Sequence, residues 1–397
     1  MKRFLLPLFT FVVFSLSLIS ASLTLSYCQP SNHRDSSESS SIELRQESGG
    51  VHDQVSLLAG LPLTEEYRNR PEISAIIKKP YYLKHQKIMQ TLWQSIQQNR
   101  IDKIISWQQQ QIGQKARNKT AFYPLSGGDI INFSLIYPQA ERYIMVAMEK
   151  RGDIPNPAEL TDAQLQGGLA SVEQMIQNIE RTGYFFSRLM NQHMNPDKYG
   201  IFGTMPTVAV FLVQMGHILQ SIEKTCIDDS GKLTTQPIAN CKLPSYRIRF
   251  RDGKSGVHKE VIYISARIED SLFQDSKPSG KFFSEMGSTS VMLKAAVYLL
   301  HSPNYKGAAD FILRNADIVV EDDSGIPYRF FDQSIWTIKL YGTFVGPPKM
   351  TGIQYYPQHD LVKAFREKSD PLPFEFGYGQ VSASHKSGMI VAVRNQK

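Results

Sequence analysis

One run of six residues, Tyr143-Ile144-Met145-Val146-Ala147-Met148, restricts this chain more than any other. It has no polar position on either face. A strand built from it is buried on both sides, the condition of a parallel strand inside a sheet. Parallel neighbours need a crossover connection, commonly a helix, and one is written just upstream. Ala121-Phe122-Tyr123-Pro124-Leu125 reads as a short buried strand, Ser126-Gly127-Gly128-Asp129 as a turn, and Ile130 to Tyr137 as a helix stopped by Pro138. Together these make a βαβ unit, closed by Glu149.

The flanking segments extend the pattern. Leu83, Ile88, Leu92, Trp93 and Ile96, then Ile101, Ile104, Ile105 and Trp107, recur at helical spacing from about Lys79. Asn156 or Thr161 caps a helix predicted to run to about Arg181, with Tyr184 to Met194 continuing it after Gly183. Thr204 and Pro206 open another, expected to reach Lys224. Tyr246–Phe250 and Val261–Ala266 suit a hairpin around Asp252-Gly253-Lys254. Ser284 or Ser288 starts a predicted helix through Leu300, followed by a helix over Gly307–Asn315. Ile318–Val320 and Ile335–Val345 read as strands and Asp360–Glu367 as a helix. Phe374–Tyr378 with Met389–Val393 read as a closing hairpin. The expected fold is α/β: a layered mixed sheet with flanking helices around a Rossmann-like core.

The amino terminus sets the expected address. Lys2 and Arg3 precede an almost uncharged run from Phe4 to Tyr27 that ends at Cys28. A basic start, an apolar stretch and a polar exit are the parts of an export signal or membrane anchor over residues 1–28. Leu25 and Ser26 resemble the bacterial lipobox, which implies lipid attachment at Cys28; Tyr27 departs from it. Cleavage among Ser20, Ala21 and Ser22, or retention as an anchor, stays open. Residues 29–70 are expected to be a disordered tether, their first part lacking aromatics, and 71–397 the globular domain with an N-terminal helical part. This places the domain in the cell envelope, outside the cytoplasm, with the membrane as one partner.

Location conditions the rest. Basic residues are spread along a chain of net charge +7, so no nucleic-acid surface is expected. Of the three cysteines, Cys226 and Cys241 remain as natural disulfide partners outside the cytoplasm once Cys28 belongs to the signal. No paired histidine spacing suits zinc.

Candidate ligand-binding residues fall in two turns and one strand end. Ser126, Gly127, Gly128 and Asp129 follow the first strand, and Gly127 and Gly128 would let a ligand approach the backbone. Glu149 follows the second strand, about 20 residues on, where dinucleotide-binding folds hold a ribose. Asp322 and Asp323 follow the strand Ile318–Val320. A competing reading makes Glu321-Asp322-Asp323 a solvated turn with Gly325 at positive φ.

The unit from Ala121 to Glu149 is similar to the first motifs of S-adenosylmethionine-dependent methyltransferases, which implies a nucleotide site of that kind. The full G-x-G-x-x-G spacing is absent, and an exported domain would not meet such a cofactor, so no cofactor is expected. The pair Phe122–Asp129 and Val320–Pro327 resembles a set of bacterial lipoprotein-like envelope proteins without an assigned activity. That resemblance covers Phe122 to the C-terminus and implies that the two turns lie together. The leading expectation is a binding module for a small ligand or an envelope protein; the alternative is a methyltransferase-like enzyme.

Overall fold

The computed structural model describes residues 50–183, 203–235, 241–347, 355–378 and 387–395. The signal segment, Cys28, residues 29–49 of the expected tether and the expected helix Tyr184–Met194 lie outside them.

Eleven strands form one sheet: β1 Thr120–Pro124, β2 Arg142–Ala147, β3 Ile218–Ile227, β4 Leu233–Thr234, β5 Pro244–Arg251, β6 His258–Ser265, β7 Thr289–Leu293, β8 Ala316–Glu321, β9 Trp336–Gly342, β10 Ser369–Asp370 and β11 Gly388–Arg394. Their spatial order is β10-β9-β11-β8-β7-β1-β2-β6-β5-β3-β4. The five central strands β8, β7, β1, β2 and β6 are parallel. β11 inserts antiparallel between β8 and β9, while β5 and β3 extend the other edge antiparallel.

The apolar run is interior, as its composition requires. β2 lies between β1 and β6 in continuous parallel register, from Arg142↔Glu260 to Ala147↔Ser265 on one side. Tyr143, Met145 and Ala147 enter the core on one face of the sheet, Ile144 and Val146 the core on the other. Full burial of such side chains stabilises by about 1.5–3 kcal/mol each.

Helices cover both faces. On the first lie α1 Gly50–Leu58, α2 Pro80–Ile96, α3 Asp102–Gln111, α4 Ile130–Ile136, α5 Asp162–Thr182 and α6 Thr204–Gln214. On the second lie α7 Pro278–Ser284 and α8 Lys306–Asn315, with α9 His359–Lys368 packed on β9. Local chemistry sets the ends of α5. Thr161 and Gln164 form a capping box, and Gly183, at φ +70°, closes the helix in the left-handed conformation. The chain is therefore α/β, with one large mixed sheet flanked by helices.

Four expectations give way. The stretch 50–70 is not a tether: Val55, Leu57 and Leu58 of α1 are fully buried. The helix from Thr204 stops at Gln214. Gly216 turns at φ +83°, and β3 then pairs with β5, because cross-strand partners outweigh local helix preference. The helix expected from Ser284 or Ser288 to Leu300 is instead β7, buried at all five positions between β1 and β8. Finally, Met389–Val393 pairs with β8 and β9, not with Phe374–Tyr378, which forms no strand. The expected disulfide is present, joining Cys226 on β3 to Cys241. No helix among the described residues is long and apolar enough to cross a membrane.

Candidate functional site

Among the five parallel strands the order reverses at one place, β1. β2 and β6 lie on one side of β1, the chain reaching β6 by way of the outer strands β3 to β5, and β7 and β8 lie on the opposite side. In open α/β sheets the crevice at the carboxyl ends beside such a reversal is where ligands bind. The carboxyl ends of β1, β7 and β8 deliver Leu125–Asp129, Lys294–Tyr298 and Asp322–Ser324 to that edge.

All the non-glycine residues with positive φ among the described residues gather there: Leu125 (62°), Ala295 (53°), Val297 (57°) and Tyr298 (55°). The left-handed conformation costs about 1–2 kcal/mol per residue, and it is least suited to a β-branched side chain such as Val297. The surrounding structure must impose it.

The turn after β8 holds the three of them that follow β7. Asp322 Oδ2 accepts the Ala295 amide (3.1 Å), Ser324 Oγ accepts the Ala296 amide (2.7 Å), and Tyr298 donates its hydroxyl to Asp323 Oδ2 (2.7 Å). Tyr378 donates to the Ala295 carbonyl at 2.8 Å, and Tyr123 to that of Lys294 at 3.2 Å. The Asp322 carboxylate packs so closely on Gly377 (φ +66°) that a Cβ there would collide with it.

A second tie runs to the β1 turn. Lys294 forms an ion pair with Asp129 and also donates to the Gly183 carbonyl at the end of α5. Both side chains are buried, at 0% and 2% exposure. Asp129 also caps α4, accepting from the Asn132 amide (3.2 Å) and its side-chain amide (2.8 Å). Burial pulls the Lys294 ammonium below its ordinary pKa, opposed by the Asp129 charge. Arg100, also buried and lowered by desolvation, lies within electrostatic reach of Asp129, Glu375 and Glu180.

The sequence candidates are thus partly assembled. Ser126, Gly127, Gly128 and Asp129 meet Asp322 and Asp323 through the segment after β7, and all six are buried. The Gly127-Gly128 turn lies inside the protein. Glu149 is on the same edge but also buried, and its carbonyl accepts from Tyr263 (3.2 Å) and Ser265 (2.8 Å) on β6.

The acidic turn is not solvated. Glu321, Asp322 and Asp323 are 0%, 2% and 6% exposed. Gly325 is absent from the positive-φ residues; a Cβ there would strike the Glu321 carboxylate. Burial raises all three carboxyl pKa values, Asp323 to about 7 with the Asp322 charge adding to the effect. No group of three or more His, Cys, Asp or Glu among the described residues is arranged to hold a metal.

Lys294, Tyr298, Ser324, Arg100 and Tyr378 escaped the sequence reading. The one signal for Lys294 was its position directly after the apolar run Val291-Met292-Leu293. No family model, curated protein or solved structure matches the chain.

Two predictions follow from the charges. Asp129→Asn leaves the Lys294 ammonium buried without its counter-charge and should cost about 3–5 kcal/mol in urea unfolding. Lys294→Met should cost a similar amount, and the double variant much less than the sum, measured as a double-mutant cycle. The second concerns pH. The folded Asp323 carboxyl holds its proton to about pH 7, whereas the unfolded group releases it near pH 4, so stability present at low pH is lost as pH rises through about 7. Wild-type protein should be more stable at pH 5 than at pH 8. Asp323→Asn should flatten that slope; an unchanged slope would remove Asp323 as its source.

Proposed function

We propose that this chain is an exported, membrane-tethered binding module. On this reading it takes a small ligand or an envelope partner at the carboxyl edge of a Rossmann-like core, beside β1, β7 and β8. The observation that carries the proposal is the cluster of left-handed Leu125, Ala295, Val297 and Tyr298 at the point where the order of the parallel strands reverses. Strain of this kind collects at ligand clamps and active sites. Here buried carboxylates, a serine and two tyrosines hold it in place.

One observation favours a methyltransferase-like enzyme as the second reading. Five parallel strands reverse order at β1, the final strand β11 inserts antiparallel beside β8, and an acid, Glu149, stands just past β2. Against it, the Gly127-Gly128 turn is buried, and Lys294 reaches the adjacent Asp129 in place of a ligand.

A calorimetric and thermal-shift screen separates the two, with S-adenosylmethionine and NAD among the compounds. The expected result is no heat with either cofactor and stabilisation by at least one other compound. Val297 is 38% exposed, so Val297→Gly loses little burial and should relieve strain, raising stability by up to about 1 kcal/mol. It should also weaken binding of every compound held at this edge. Saturable binding of S-adenosylmethionine would move the assignment to the enzyme; hits indifferent to Val297→Gly would remove this edge as the site. The tether is checked by palmitate labelling of wild type and Cys28→Ala. Label on wild type alone is expected, and an unlabelled wild type would end the lipid-anchor reading.

A further inference from the structure

The amino edge of the sheet, opposite the strand reversal, is open where the helical layer stops short of β9. α3 covers β9 as far as Tyr341, whose ring meets Trp107 edge-on and whose hydroxyl donates to Gln111 Oε1 (3.0 Å). Side chains recur on one strand face every second residue, so Lys339 and Thr337 continue the face of Tyr341. Tyr341 is buried, whereas Lys339 and Thr337 are exposed. The register sets Val391 of β11 beside Lys339 and Val393 beside Thr337, on that same face.

A groove of about 1220 Å³ occupies the gap. Small-molecule pockets run to about 1,000 Å³, so a ligand of that size has room. One wall is the uncovered end of the sheet. The other is the end of α3, the 3₁₀ turn Gly113–Lys115 and the segment leading to β1. Ile112, Ile335, Val391 and Val393 supply its apolar part, and Ile335 is 42% exposed.

The charges along the groove are nearly of one sign. Lys115, Arg117, Lys339 and Arg394 line it with a single carboxylate, Asp317. Arg394 is engaged elsewhere: its guanidinium donates to the Leu313 and Ala316 carbonyls and lies over the Trp336 ring. Lys115 and Arg117 donate to the Gln111 and Gln114 carbonyls, both at 2.7 Å, bonds that leave their charge uncancelled. Among the described residues none of the five takes part in an ion pair. Burial and the neighbouring Lys339 charge together pull the Lys115 ammonium below its ordinary pKa. Like charges gathered in a groove attract a counter-ion, and here an aliphatic strip lies beside them.

We propose that this groove binds an aliphatic carboxylate, its head among Lys115, Arg117 and Lys339 and its chain along Ile335, Val391 and Val393. A bare anion would leave the aliphatic strip in water, and a neutral apolar ligand would leave the cations unrelieved. The site is separate from the carboxyl edge and does not depend on a ligand there.

Isothermal titration of the full chain with acetate, butyrate, hexanoate and octanoate tests it, with hexanamide as the neutral counterpart. Affinity should rise about two- to four-fold per added methylene, four-fold corresponding to full burial. Hexanamide should bind about two- to five-fold more weakly than hexanoate, the effect of a partly exposed charge pair. Lys339→Gln should weaken hexanoate by a similar factor and leave hexanamide unchanged. Asp317→Asn, which removes the one acid, should tighten hexanoate. Ile335→Ser should flatten the chain-length series. Lys339 and Ile335 are exposed, so these variants should fold, which circular dichroism checks. No binding, hexanamide equal to hexanoate, or a chain-length series unaltered by Ile335→Ser would each overturn the proposal. Hexanoate binding lost in Val297→Gly but kept in Lys339→Gln would also overturn it, while leaving the carboxyl edge as a binding edge.

Discussion

The ion pair between Lys294 and Asp129 is the constraint on which this edge of the molecule depends. Two charges at 0% and 2% exposure have lost nearly all contact with water, a cost that mutual attraction offsets only when the remaining hydrogen-bonding capacity is also met. It is met by different elements. Lys294 extends from the end of β7 and also donates to Gly183, which closes α5; Asp129 extends from the end of β1 and also caps α4. One pair thus ties two strands and two helices, and Arg100 adds a further cation within reach of the same carboxylate. Replacing such a pair by apolar groups is often neutral for stability, so its effect here is to fix geometry: β7 must end where Lys294 reaches the turn after β1.

Fixing that end has a consequence one residue later. Ala295, Val297 and Tyr298 adopt a conformation their side chains disfavour, and no glycine relieves it. The restraint comes from the turn after β8, whose acids face inward and accept backbone amides and a tyrosine hydroxyl. Burial that raises the Asp323 carboxyl to about 7 places a titration within the same assembly. The strain, the buried acids and the ion pair are three parts of one mechanical unit, and the reversal of strand order explains why they meet.

Much of the sheet was legible because its signals are local. The run Tyr143–Ala147 has no polar face, so burial on both sides followed directly, and of the two candidate caps Asn156 and Thr161 the second starts the long helix. Cys226 and Cys241 were the two cysteines left once Cys28 was assigned to the amino-terminal segment, and they are joined. The failures share a cause. Ser290-Val291-Met292-Leu293-Lys294-Ala295-Ala296 suits a helix by composition, and only β1 and β8 on either side make it a strand. Reading it as a helix hid Lys294 and the strained segment together. The left-handed residues carry no sequence mark, since leucine, alanine, valine and tyrosine are ordinary in regular structure. The turns at Gly128 and Asp322 were found, but not the bridge between them.

That bridge bears on how the edge would be used. A nucleotide-type crevice needs its glycine turn open to the ligand, with backbone amides free to meet it. Here Ser126–Asp129 are buried, and Lys294 supplies a positive charge of the protein's own to the carboxylate beside them. A side chain buried at that depth, tied to two helices, is not displaced by a ligand without the loss of its ion pair. Further along the same edge a cavity of about 730 Å³ lies beside Gly342 and Ser387. Any ligand at this reversal point would therefore meet the side chains of the edge and not the amides of the glycine turn.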